Sequence, residues 1–161
     1  MTTQELQKRF AAAPAELEAK LRGLSREQLR FRPFADAWTV HEQVVHLADA
    51  EINSSVRLRK ILAESGVAVD LMGQDKWLAG LDYHAQSLDR AVSLFRLLRE
   101  ISCDLLSRVR EPMWEGNWIQ HPERGKVTLR QWLEIYLEHS DAHLGYIERN
   151  LRLWRESAGK P

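Results

Sequence analysis

Apolar residues recur at helical spacing in four long stretches of this chain, and no stretch shows the sustained period-two alternation of a half-buried strand. Such a chain must bury one face of each helix against the others. The first stretch spans Thr3 to Leu21 behind Thr2 and Glu5, a pair spaced as a capping box; Pro14 inside it predicts a kink, or a restart with Pro14 in the first turn, and Gly23 ends it. Ser25 to Arg30 can form a single turn. The second long helix starts at Thr39, with Glu42 as its capping-box partner, and runs to about Glu64 before Gly66. The third covers Ser87 to Arg108 on a stripe that includes Leu88, Val92, Phe95, Leu98, Leu105 and Leu106. The fourth covers Thr128 to Asn150, capped by Thr128 with Gln131 three residues on. Residues 65–86 read as a long connection with one turn around Trp77, and EPMWEGNWIQHPERGK, residues 111–126, reads as a loop. The expected architecture is an all-α four-helix bundle, one domain over residues 1–161, with long loops between helices 2 and 3 and between helices 3 and 4.

The fourth helix carries His139 and His143, one turn apart, so both imidazoles leave the same side within reach of a single metal ion. They lie roughly 80° and 40° from the middle of the apolar stripe, whereas Glu134, Glu138 and Asp141 point away. The pair looks inward. An isolated H-x-x-x-H pair also occurs as hydrogen-bonded core histidine, and a catalytic metal site needs a third protein ligand.

Composition narrows the function classes. With 23 basic and 23 acidic residues, no net positive field draws nucleic acid or an anionic membrane, and neither is expected as a partner. Cys103 is alone, so no internal disulfide forms, and no apolar run is long enough for a leader or membrane span; a reduced cytoplasm is the expected compartment.

Several residues stand out singly. His46 lies off the main stripe of the second helix on a face shared with Ala50, Asn53 and Arg57, which by periodicity alone suits a surface or helix-interface histidine. Glu51 falls inside the apolar stripe, where a carboxylate either serves a polar site or pairs with a buried arginine, the preferred reading. Trp38 reads as an aromatic plug, with an exposed binding tryptophan as the alternative. Cys103 packs as a small apolar residue, there being no nearby histidine in sequence to make it a nucleophile. His41 is expected to face solvent, and His121 belongs to the loop before the fourth helix.

The runs WTVHEQVVHLADAEINSSVRLRKIL, KWLAGLDYHAQSLDRAVSLFRLLRE and HPERGKVTLRQWLEIYLEHSDAHLGYI resemble, in order and over nearly the whole chain, the DinB/YfiT-like family of four-helix-bundle metalloproteins. The resemblance implies that His46, His139 and His143 bind one divalent metal, zinc or nickel foremost, with iron or manganese as alternatives. A departure from the family is Ala142, where many YfiT-like members have a second histidine beside the last ligand. Characterised relatives imply transfer of a low-molecular-weight thiol, of the bacillithiol, mycothiol or glutathione type, to an electrophilic small molecule, and a homodimer. The alternatives are a hydrolase using the same metal to activate water, and a non-catalytic metal-binding, stress-related protein. If the metal sits beside His46, Asn53 and Arg57 line the cavity above it and suit the polar groups of a thiol; otherwise Arg57 pairs with an acidic neighbour and Asn53 packs between helices.

Overall fold

A computed structural model describes residues 1–158, and the last three residues of the expected 1–161 domain lie outside them. The four long helices form as α1 (Thr3–Leu21), α3 (Val40–Ala63), α5 (Leu88–Leu106) and α7 (Leu129–Ala158). Three of the starts carry both halves of a capping box: Thr2 with Glu5, Thr39 with Glu42, and Thr128 with Gln131, in which each side chain bonds the other residue's backbone N–H. The short helix α2 (Arg26–Arg30) is capped in the same way by Ser25 and Gln28. α7 runs eight residues beyond the expected end at Asn150, since nothing in ERNLRLWRESA breaks a helix.

Helices α3 and α1 each pack against both α5 and α7, so α1 and α3 stand on one diagonal of the bundle and α5 and α7 on the other. The connections hold more structure than expected. Residues 65–86 include α4 (Gln74–Gly80), the turn foreseen around Trp77, and a 3-10 turn at Tyr83–Ala85. Residues 111–126, expected as a loop, instead contain α6 (Met113–Gly116) and most of a hairpin of β1 (Trp118–His121) and β2 (Gly125–Thr128). Its register pairs Ile119 with Val127 and His121 with Gly125, and Gly125 adopts φ +70, which an L side chain resists. Ile119, Val127 and His121 are all buried, so the inward face alternates over too few residues to register as a period. The preceding connection adds to the hairpin edge: the Gln120 N–H donates to the Val67 carbonyl at 2.9 Å, and the Val69 N–H donates to the Gln120 carbonyl at 3.1 Å.

The core is divided. One apolar cluster gathers Leu6, Phe10, Leu58, Ile61, Trp132 and Leu133; the other gathers Leu17, Val44, Leu47, Phe95, Leu144 and Ile147. Between them, on all four helices, lies a polar waist whose centre is Arg99 of α5, 1% exposed. Its guanidinium donates to Glu51 of α3 at 2.6 Å, to Ser140 of α7 at 2.9 Å and to the Phe10 carbonyl of α1 at 3.0 Å. The Glu51 carboxylate therefore meets the buried arginine that its position on an apolar stripe demanded. Burial pushes the Glu51 carboxyl up, and Arg99 pulls it back.

The third of these bonds explains Pro14. α1 is continuous through Pro14, neither restarted nor ended there, although proline offers no N–H to the carbonyl four residues earlier. That carbonyl belongs to Phe10, and Arg99 supplies the missing donor from another helix.

Candidate metal centre

The polar waist opens on one side into a cluster of three imidazoles. His46 comes from the second turn of α3, and His139 and His143 from successive turns of α7. One ring nitrogen from each lies within 4.8 Å of the other two, and His46 Nε2 stands 3.0 Å from His139 Nε2. The rings pack at centroid distances of 4.4 to 5.1 Å. His46 is off the apolar stripe of α3 yet fully buried, because the face it shares with Ala50 turns toward α7.

Burial strips these rings of their protons. It lowers His46 to about 3, with His139 adding repulsion; His139 to about 4, with Arg99 adding; and His143 to about 2, with both other histidines adding. Three neutral imidazoles at neutral pH present lone pairs rather than charges. The His143 tautomer is set by Gln43, whose amide oxygen accepts from Nδ1 and leaves Nε2 as the free lone pair.

This donor set fits a divalent ion. Two imidazole nitrogens bound at about 2.0–2.1 Å to a tetrahedral ion stand about 3.3 Å apart, a few tenths from the His46 to His139 separation. Three nitrogen ligands leave a position for a further molecule, and the absence of a carboxylate ligand leaves the ion's charge uncompensated. Among the described residues, no other group of three metal-ligating side chains is so placed.

Two openings reach the triad. A cavity of about 200 Å³ is lined by His46, His139, Asn53, Arg57, His121 and Tyr136, with Arg124 at its hairpin side. Asn53 and Arg57 both line it, with His46, from one face of α3. Asn53 donates to the Asp49 carbonyl at 3.3 Å, and Arg57 bonds the Tyr136 hydroxyl at 3.1 Å and the Asp70 carbonyl, with no carboxylate partner among the described residues. The second opening, about 430 Å³, is lined by Trp38, Gln43, His139, His143 and Tyr146. Trp38 is half-buried there, between the plug and the exposed site considered for it. Its ring stands edge-on to His46 at 5.0 Å and stacks near His143 at 6.2 Å, and its carbonyl is held by Asn150 at 2.6 Å.

His41 corrects an expectation: it is buried, 8% exposed, and its Nε2 donates to the Gln86 carbonyl at 3.0 Å. The chain entering α5 covers a flank of α3 that the helical wheel assigned to solvent. Cys103 packs half-buried against the apolar core, and burial raises its thiol pKa, in keeping with a packing role. Gln43, His121, Tyr136 and Gln74 join the site without having been singled out for it. Gln43 and Tyr136 have a local signal, each one turn before a histidine of the cluster, His46 and His139.

The comparisons agree with this fold. The DinB superfamily model matches residues 9–147. A protein of Oceanobacillus iheyensis named "Putative metal-dependent hydrolase" is 28% identical over 134 residues, 83% of this chain and 77% of that one. The protein of the same description from Bacillus subtilis, YfiT, is 26% identical over 135 residues, 83% of this chain and 75% of its own. The solved structure of Bacillus subtilis YfiT superposes with a TM-score of 0.87 at 23% identity, over 94% of this chain and 89% of that one. A second solved four-helix bundle, TT2238, superposes with a TM-score of 0.66 at 21% identity, over 92% of this chain and 99% of its own. By the extent of the family match, and with a bundle of the same fold built around a buried three-histidine cluster, the chain belongs to the DinB superfamily.

Proposed function

We propose that this chain is a metal-dependent enzyme in which His46, His139 and His143 hold one divalent ion, and that it transfers a low-molecular-weight thiol to an electrophilic small molecule. The observation that carries the reading is the convergence of three neutral imidazoles, two of which, His46 and His139, line a cavity furnished by Asn53 and Arg57. Zinc and nickel suit an all-imidazole set best, with iron and manganese as alternatives. A bound divalent ion supplies Lewis acidity, lowering the pKa of a thiol or water at its remaining position. The protein's part is to keep the three rings neutral by burial, to hold His143 in one tautomer through Gln43, and to orient the polar portion of the thiol with the Arg57 guanidinium. A ligand set without carboxylate favours an anionic sulfur over a neutral molecule.

A second reading, hydrolysis with water in place of the thiol, is supported by the names of the relatives and uses the same three histidines. The two are separated by experiment. Purified protein is analysed for metal, then incubated with bacillithiol, mycothiol, glutathione and coenzyme A in turn, each with chlorodinitrobenzene, and conjugates are followed by mass spectrometry. About one equivalent of metal, lost in the His139→Ala/His143→Ala variant, and metal-dependent conjugation lost in His46→Ala are expected. Metal content unchanged in the double variant would remove the triad assignment. Turnover of ester or amide substrates with no conjugate from any thiol would transfer the assignment to hydrolysis.

A further inference from the structure

The two openings onto the triad differ in charge and in surface, and the difference is built from residues outside the metal set. His139 and Gln74, the first residue of α4, line both; His46 faces only the smaller cavity and His143 only the larger. The start of α4 therefore stands where the two approaches meet at His139.

Beside the apolar Ala50, Leu71, Met72 and Ile135, the smaller cavity presents a set of donors whose own partners are already fixed. His121, 8% exposed at the end of β1, accepts at Nδ1 from the backbone N–H groups of Glu123 at 3.2 Å and Arg124 at 3.3 Å. Its proton is therefore on Nε2, where it is free to donate. The Tyr136 hydroxyl accepts from Arg57 at 3.1 Å, which leaves its own hydrogen to give away. Arg57 spends two contacts on Tyr136 and the Asp70 carbonyl, and retains further N–H groups. Arg124 adds a second guanidinium, against the single carboxylate of Glu123 on the exposed turn. A group with several acceptor oxygens and negative charge is what such a wall lacks.

The larger cavity has the opposite character. Its charged lining residues are Asp36 and Asp75, and its flat surfaces are Trp38 and Tyr146. Arg149 lies over the rings of Tyr146 at 5.1 Å and Phe34 at 5.2 Å, outside the lining.

We infer that the centre has two substrate compartments of opposite polarity meeting at His139: the Arg57, His121, Tyr136 and Arg124 cavity takes a carboxylate-bearing substrate, and the Trp38 and Tyr146 cavity takes a flat ring compound without negative charge. The inference rests on the proposed metal-dependent transfer, and it explains what hydrolysis leaves idle, since water needs no compartment. At about 200 Å³ the first has room for a small carboxylate group, whereas the second, about 430 Å³, is within the ordinary range of ligand pockets.

Binding rather than turnover tests it. Calorimetry on zinc-loaded protein compares mercaptosuccinate, a dianionic thiol, with mercaptoethanol, and naphthalenemethanol with naphthalenesulfonate. Mercaptosuccinate should bind at least about tenfold tighter than mercaptoethanol, an advantage lost in Arg57→Met/Arg124→Ser while mercaptoethanol binding holds. Naphthalenemethanol should bind tighter than the sulfonate, weaken about tenfold or more in Trp38→Leu, and remain bound when mercaptosuccinate saturates. Succinate, which carries the carboxylates without the thiol, separates this inference from the metal reading. Binding of succinate to metal-free protein, lost in Arg57→Met, supports the cavity assignment even where metal analysis defeats the transferase reading. A protein that binds metal but shows no carboxylate preference, or in which the naphthyl compound and mercaptosuccinate displace one another, overturns the inference and leaves the metal reading standing.

Discussion

Replacing Arg99 with methionine is the sharpest test of how the bundle is held together. Methionine keeps the packing on Phe10, over whose ring the guanidinium lies at 3.7 Å, but removes the donors to Glu51, Ser140 and the Phe10 carbonyl. Breaking a buried pair from one side costs about 3–5 kcal/mol, because the partner is left buried without its counter-charge. Against a typical total of about 5–15 kcal/mol that is about a fifth of the stability or more, or roughly 6–20 °C in Tm for a domain of this size. The loss has a pH signature. Burial already raises the Glu51 pKa, and without Arg99 it rises further, so the folded state holds a proton that the unfolded state releases. A raised pKa gives stability that is present below the unfolded value and declines as pH rises through the folded one, so Arg99→Met should be less impaired at pH 5 than at pH 8. Two second-site changes complete the test. Glu51→Leu with Arg99→Met removes both charges and should recover about 2 kcal/mol or more over the single variant. Pro14→Ala with Arg99→Met restores an N–H to the stranded Phe10 carbonyl and should recover about 1–3 kcal/mol. Urea unfolding of metal-free protein, followed by circular dichroism, reads all of these. An Arg99→Met variant within about 1 kcal/mol of the parent, or a Glu51→Leu/Arg99→Met variant weaker than it, would falsify the account of the polar waist.

Metal removal should leave the protein helical, because both apolar clusters are complete without the ion; circular dichroism of a disordered chain after chelation would make the histidines structural ligands. The chelated protein should be acid-labile: its three imidazoles protonate at about 6.5 when unfolded but only near 3, 4 and 2 when folded, so stability present above pH 6.5 is lost as pH falls. By pH 5.5 the loss reaches about 4 kcal/mol, and a flat urea midpoint between pH 7.5 and 5.5 would refute it. Gln43→Leu should lower metal affinity about 10–100-fold in chelator competition with the fold intact, and an unchanged affinity would show that the His143 tautomer needs no help.

What was legible in the sequence was what is local. The caps at Thr39 and Thr128 each involve a partner three residues away, and His139 with His143 is a relation within one turn of one helix. His46 is 93 residues from His139, and no periodicity joins them; only the family resemblance brought the third histidine in. Glu51 announced a buried cation by interrupting an apolar stripe, but nothing nearby said that the cation is Arg99 of α5. Helical periodicity misplaces His41 and says nothing of His121 for one reason: their surroundings come from connecting segments, the entry to α5 and a four-residue strand pairing, which it does not describe. Tyr136 is signalled by its place one turn before His139, whereas Gln74 is apparent only once the start of α4 is seen beside the cluster.

The bond from Arg99 to the Phe10 carbonyl makes α1 a conditional helix. α1 precedes α5 in the chain, so the turn interrupted by Pro14 finds its missing donor only in a residue 89 positions after Phe10. Until α5 docks, that turn depends on water, and the two halves of α1 are free to bend about it. Docking does more than cover an apolar face. It satisfies α1 at one carbonyl, and a slip of a single turn along α5 would strand that carbonyl again, so the same contact that completes the helix also sets its register against the rest of the bundle.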